Sequence, residues 1–155
     1  MPDLMSLRAD PPLGFRFSVF FFIGGTVLNP IDFRFKKVSG IGSTISTQAL
    51  NEGGQNLYSH KLPERVQYEN LVLERGLAVG SLLFIEFNAA MSLFKFNPSN
   101  VLISLLDEAA LPISSWLVVN AYPVKWIVSS LDADSNAVII ETMELSYQRM
   151  QTIRI

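Results

Sequence analysis

"WLVVNAYPVKWIVSS", Trp116–Ser130, decides how this chain is to be read. Its flanks, "WLVV" and "WIV", carry the aromatic and β-branched residues of a strand. Pro123 stands between them. Proline has no N–H to give a sheet ladder, so sheets confine it to edges, strand starts and bulges. "PISSWLVVNAYPVKWIVSSL" is therefore two strands or one bent strand. Tyr122, Lys125 and Trp126 surround the break. They leave two readings open, a structural corner and a small binding site.

Outward from this stretch, strand patterns dominate. "FRFSVFFF" places Phe15, Phe17, Val19 and Phe21 on one face. Adjacent strand residues alternate faces, so Phe20, Phe21 and Phe22 cannot all form an exposed tip. Gly24-Gly25 and Asn29-Pro30 punctuate a return into "IDFRFKKV", which predicts a β-hairpin with a long, apolar tip. "SGIG" breaks that strand, and "STISTQAL" follows as a third. "NEGGQN" is the clearest loop, with Gly53 and Gly54 free to take positive φ. After "HKLP" comes a predicted strand, "VQYENLVLER". Ser81–Phe94 sets Leu83, Phe87, Ala90 and Phe94 at helical spacing. "VLISLLD" is a strand, and "AVIIETMELSYQRMQTIRI" reads as one long final strand with Ile139, Met143, Leu145 and Tyr147 on one face. The sum is about seven or eight strands and one helix: a mainly antiparallel β-sandwich or barrel. Residues 1–13 read as an N-terminal arm and 14–155 as a single domain.

Composition narrows the function. Of 155 residues, 49% are hydrophobic and only 17% charged. Low charge in a chain with long apolar strands points to surface meant for a partner. A net charge of −2 supplies no basic field for nucleic acid. There is no cysteine, which removes disulfides, thiolate metal sites and cysteine nucleophiles together. His60 is the only histidine, and "YSHKLP" surrounds it with no serine elbow, so it reads as a surface or interface residue. Asp107-Glu108 and Asp132/Asp134 sit in predicted turns, where aspartate is common for turn geometry alone. No catalytic set, cofactor site or metal site emerges. "LAVGSLLFIEFNAAMSLF" is barely long enough to span a bilayer and has Glu86 and Asn88 at its centre, so it reads as a buried or interface helix. No signal-peptide core opens the chain, which implies synthesis in the cytoplasm without a Sec-type signal.

Seven stretches in one order then bring a family into view: "PPLGFRFSV", "FRFKKVSGI", "NEGGQNLYSHKLP", "YENLVLERGL", "FKFNPSNVLISLLDE", "WLVVNAYPVKW" and "IIETMELSYQ". Together they resemble the inner tail-tube proteins of contractile phage tails and phage-tail-like injection particles, from about Pro11 to Gln148. The "EGGQN…HKLP…NLVLERGL" run and the "VVNAYPVKW…IETMELSYQ" ending look closest to the subtype at the base of the tube. Phe87 stands where the family often has tryptophan.

The resemblance implies a non-catalytic protein that forms six-membered rings with a β-lined lumen. It implies as partners further copies of itself, the main tube protein and the spike-hub or baseplate protein, with the sheath and luminal cargo beyond them. No specific nucleic-acid recognition and no membrane span are expected. The tube-initiator ring is the nearer subtype and the repeating tube subunit the alternative. A monomeric ligand-binding β-sandwich is the alternative from another class. In this reading Pro123 ends one stretch of ladder and re-aims the next. Tyr122 and Trp126 fill the corner as buried aromatics, and Lys125 faces polar surroundings or a neighbour. Gly53, Gly54, Leu62 and Pro63 are expected to form a rigid arm against a neighbouring subunit, and the Phe20–Pro30 hairpin is expected to meet a specialised partner.

Overall fold

The computed structural model describes residues 16–23, 26–27, 35–77 and 81–154. The expectations for the N-terminal arm, Phe15, Gly24-Gly25 and Asn29-Pro30 lie outside these residues. The described chain forms ten strands and one helix. The strands are β1 (Phe17–Ile23), β2 (Thr26–Val27), β3 (Lys37–Ser39), β4 (Ser43–Leu50), β5 (His60–Tyr68) and β6 (Leu71–Gly76), then β7 (Ser99–Leu106), β8 (Pro112–Val128), β9 (Ile140–Ser146) and β10 (Arg149–Arg154). Helix α1 (Leu82–Leu93) stands between β6 and β7. The architecture is mainly antiparallel β with one helix. The main sheet runs β2-β1-β7-β8-β9-β6-β3, with β10 also on β8, and β4-β5 form a separate ribbon.

Strand β8 explains the curl of the main sheet. Residues 112–121 pair with β7, and 114–119 also with β10; residues 122–128 pair with β9 instead. The strand thus leaves one part of the sheet and enters another, through two bulges. Asn120 sits in the left-handed region at φ 54°, where β8 gains a residue on β7. Asparagine tolerates that conformation better than most residues. Its Nδ2 donates to Gln148 Oε1 at 2.7 Å, and its N–H donates to Asn100 Oδ1 at 3.2 Å. Val124 is then the extra residue on β9, between Pro123 opposite Leu145 and Lys125 opposite Glu144. Bulged strands that change sheets are how β-proteins turn corners.

The curled sheet closes on one core. Val19 and Phe21 of β1, Val101 and Ile103 of β7 and Val118 of β8 meet Leu71, Leu73, Met143 and Leu145 from β6 and β9, with Leu83 and Phe87 of α1. Phe21 is buried, while Phe20 and Phe22 are half-buried on the other face. The helix starts at Ser81, whose Oγ accepts the Phe84 N–H at 3.3 Å. It ends at Phe94, left-handed at φ 52°.

Four expectations need correction. The described end of "IDFRFKKV", β3, pairs with β6 and not with β1. Phe35 still reaches Phe21, with ring centroids 6.0 Å apart, because the curl brings the sheet's ends together. "HKLPERVQYENLVLERG" is two strands broken at Glu69-Asn70, since β5 pairs with β4 and β6 with β3 and β9. The final segment is also two strands, divided at Tyr147-Gln148. Phe94 lies at helical spacing but is 82% exposed, because the left-handed cap turns it off the core face.

Candidate functional site

Trp126 is not a buried corner aromatic. It is 37% exposed, and Tyr122 is similarly open. The Trp126 indole packs edge-on against Phe84 of α1 at 5.5 Å, and Nε1 donates to Glu141 Oε1 at 2.8 Å. That carboxylate is the centre of a buried network. Arg75 Nε donates to Glu141 Oε2 at 2.9 Å, and Arg75 Nη2 donates to Ser81 Oγ at 2.8 Å. Arg75 and Glu141 are only 2% and 1% exposed. Four elements meet here: β6 through Arg75, β9 through Glu141, β8 through Trp126 and the helix cap through Ser81. The network fixes α1 against the sheet corner. Trp126→Phe keeps the ring but removes the donor to a buried carboxylate. It is expected to lower stability by about 1.5–3 kcal/mol, read from a denaturant midpoint.

Sequence reasoning passed over this network. Ile139, Met143, Leu145 and Tyr147 read as one face, and Glu141 stands in that face by period alone. Arg75 likewise alternates with Leu71 and Leu73. A charge at a core position on each of two strands was the available signal.

Tyr147, just past the end of β9, adds a second polar group at the far end of that strand from Glu141. Its hydroxyl has no hydrogen-bond partner among the described residues, and its ring lies 5.5 Å from that of Tyr68. Burial pushes the phenol above its usual value, with smaller effects from Tyr68 and Glu69. The folded phenol therefore binds its proton more tightly than the unfolded one. Its stabilising effect is intact below about pH 10 and is lost as pH rises beyond that. Tyr147→Phe should flatten the alkaline fall of an unfolding curve.

The β4-β5 ribbon stands off the sheet with nearly every side chain exposed. Ile45, Leu50, Tyr58, Leu62 and Val66 are large apolar residues left open, and Leu57 is 91% exposed. Leu62 and Pro63 lie inside β5, opposite Gln48 and Thr47, not ahead of a strand. A bulge beside Pro63 is held by Ser46, whose Oγ accepts the Arg65 N–H and donates to the Arg65 carbonyl. His60 Nε2 lies 3.9 Å from Glu52 Oε1, and its ring meets Tyr58 edge-on at 5.4 Å. Only Gly54 of the two loop glycines has positive φ, at 89°, and neither would meet an atom within 4 Å if it carried a Cβ. Gly54→Val should therefore cost about 1–2 kcal/mol of local strain while the core stays folded. Thermal unfolding checks the fold, and particle yield reads any effect on assembly.

The acidic pairs serve as turns. Asp107 Oδ1 accepts the N–H groups of Ala109 and Leu111, both at 2.8 Å. Asp132 Oδ1 accepts the Asp134 N–H at 2.9 Å. Among the described residues no cluster of three or more His, Asp or Glu could hold a metal, and no helix is long and apolar enough to cross a membrane. Lys125 is exposed opposite Glu144 on the outer face of the sheet. The predicted site residues thus fall into three places: β1, the ribbon and the β8 corner.

The described residues thus form a curled antiparallel sheet with one clamped helix and a protruding, largely exposed ribbon. The chain belongs to the T4-like virus tail tube protein gp19 family, whose model matches residues 13–151. It is 37% identical to a chain of the anti-feeding prophage (AFP) baseplate, solved by cryo-EM with 6-fold symmetrisation, with a TM-score of 0.87 over 94% of this chain and 97% of that one. A chain of the AFP tube-terminating cap is 26% identical, TM-score 0.79, over 95% and 93%. A chain of the PVC extracellular contractile injection system sheath–tube complex, 23% identical, shares the fold at TM-score 0.79 over the full length of both. No curated protein sequence matches significantly.

Proposed function

We propose that this chain forms one hexameric ring of the inner tube of a contractile injection particle. The ring is the tube initiator, set between the spike hub and the repeating tube. The observation that carries this reading is the 37% identity to a baseplate chain, against 23% to a sheath–tube chain. The part is mechanical: a rigid conduit that an outer sheath drives forward.

The open edges support a ring. Among the described residues, 122–128 of β8 pair only with β9, and β3 pairs only with β6. Joining β8 of one copy to β3 of the next removes both edges. The outer face of this part of the sheet carries Lys37, Glu74, Thr142, Glu144 and Lys125 by register, with Val72 and Ile127 among them. A largely polar wall of mixed sign suits a water-filled lumen. The apolar ribbon then meets a neighbouring subunit or ring.

An initiator needs two unlike partners, the hub below and the tube above, so its own faces need not fit each other. The purified chain should stop at monomers or single rings. In the intact particle, quantitative mass spectrometry should find one ring's worth of copies, constant as particle length varies. A copy number that grows with length would make this the repeating tube subunit instead.

A further inference from the structure

A second contact between copies follows from the two ends of the sheet. An apolar cavity of about 320 Å³ opens beside β3. Phe17, Val38, Ile103 and Trp116 line it, with Lys36 and Lys37 also on its wall. Both lysines are exposed, and neither makes an ion pair with another described residue. At the other edge, the turn from β8 to β9 carries the opposite character. Leu131 is 77% exposed there and is followed by Asp132 and Asp134, also exposed.

The register puts these features at one height. Lys37 pairs with Glu74, Glu74 with Thr142 and Thr142 with Ile127. Lys37 and Ile127 therefore lie level with each other at the two ends of this row, each paired on one side only among the described residues. An unstaggered antiparallel joint between β8 of one copy and β3 of the next brings the β8 end of the first beside the β3 start of the second. The Leu131 turn lies just past Ile127, and the lysine-rimmed cavity just behind Lys37.

We infer that Leu131 of one copy enters the apolar cavity of its neighbour, while Asp132 and Asp134 pair with the neighbour's Lys36 and Lys37. This rests on the ring reading and names the side chains that lock it. The contact is heterologous: one surface is an exposed apolar and acidic turn, the other a concave, apolar and basic one. Such a pair sets direction around the ring as well as strength. The apolar anchor supplies affinity, and the rim charges steer encounter and exclude the reversed arrangement.

The absence of native cysteine makes the test clean. Leu131→Cys and Ile41→Cys are placed together in the full chain, and rings are oxidised after assembly in the particle. Ile41 lines the same cavity. A covalent ladder of multiples of the chain is expected, whereas each single-cysteine variant should give no ladder beyond a dimer. Charge reversal supplies an independent arm at Asp134, because Asp132 also holds its own turn. Asp134→Lys alone and Lys36→Glu/Lys37→Glu alone should each weaken ring formation about tenfold or more at low salt, and the three changes together should restore it. Rings by microscopy with no ladder and no charge rescue would overturn this contact and leave the ring reading standing. No rings at all, in wild-type chain or particle, would overturn the ring reading and this contact with it.

Discussion

Glu141→Ala is expected to lower the unfolding free energy by about 3–5 kcal/mol, the range for breaking a buried ion pair by removing one partner. The cause is the charge left behind. Arg75 is 2% exposed, and its Nε loses the acceptor now 2.9 Å away. Trp126 Nε1 loses its acceptor in the same step. Arg75 also holds Ser81, the residue that caps α1, so the disturbance reaches the helix start. Arg75→Met/Glu141→Met removes both charges and keeps apolar volume. That pair should unfold much closer to the wild type, because apolar replacement of a whole buried ion pair is often neutral or stabilising. Urea midpoints of the three proteins decide the matter. A wild-type midpoint for Glu141→Ala would mean that water reaches Arg75 and that the network does not hold the corner.

The legible part of this fold was its alternation. Val19 and Phe21, Leu71 and Leu73, and Met143 and Leu145 all lie in the core where a period of two puts them. Leu83, Phe87 and Ala90 do so at helical period. The turn role of Asp107 and Asp132 was equally local. What failed was pairing, which is a property of distant residues. Nothing within "IDFRFKKV" states that its end will lie on β6 and not on β1. Nor does "VQYENLVLER" state that its halves serve different partners, since both halves alternate well. The break at Pro123 was visible, yet the turn of β8 begins three residues earlier at Asn120, whose positive φ depends on Asn100 and Gln148. Filling the corner at Pro123 would bury Trp126, yet its indole packs edge-on against Phe84 and stays 37% exposed.

Gly40→Ala is expected to cost about 2–5 kcal/mol and to misdirect the ribbon at its root. Two penalties add. Gly40 has φ 83°, a region that costs an alanine roughly 1–2 kcal/mol. A Cβ there would also collide with the Asn70 carbonyl oxygen, a backbone atom that cannot swing aside. Relief requires a shift of the chain, typically about 1–3 kcal/mol. The position gives the number its meaning. Gly40 joins β3 to β4, and Asn70 joins β5 to β6, so their contact is where the ribbon leaves the sheet. Asn70 Nδ2 further donates to Glu144 Oε1 at 2.8 Å, tying the joint to β9. A moved joint changes the direction of every apolar side chain from Ile45 to Val66. Gly42→Ala is the matched control, since a Cβ there meets nothing within 4 Å and its φ is not positive. That variant should stay within about 0.5 kcal/mol of wild type, as surface changes do. Thermal unfolding should therefore separate the two alanines cleanly, with assembly into particles lost in Gly40→Ala alone. Equal melting temperatures would show that the joint yields without cost, and the ribbon would then be a hinged element and not a fixed arm.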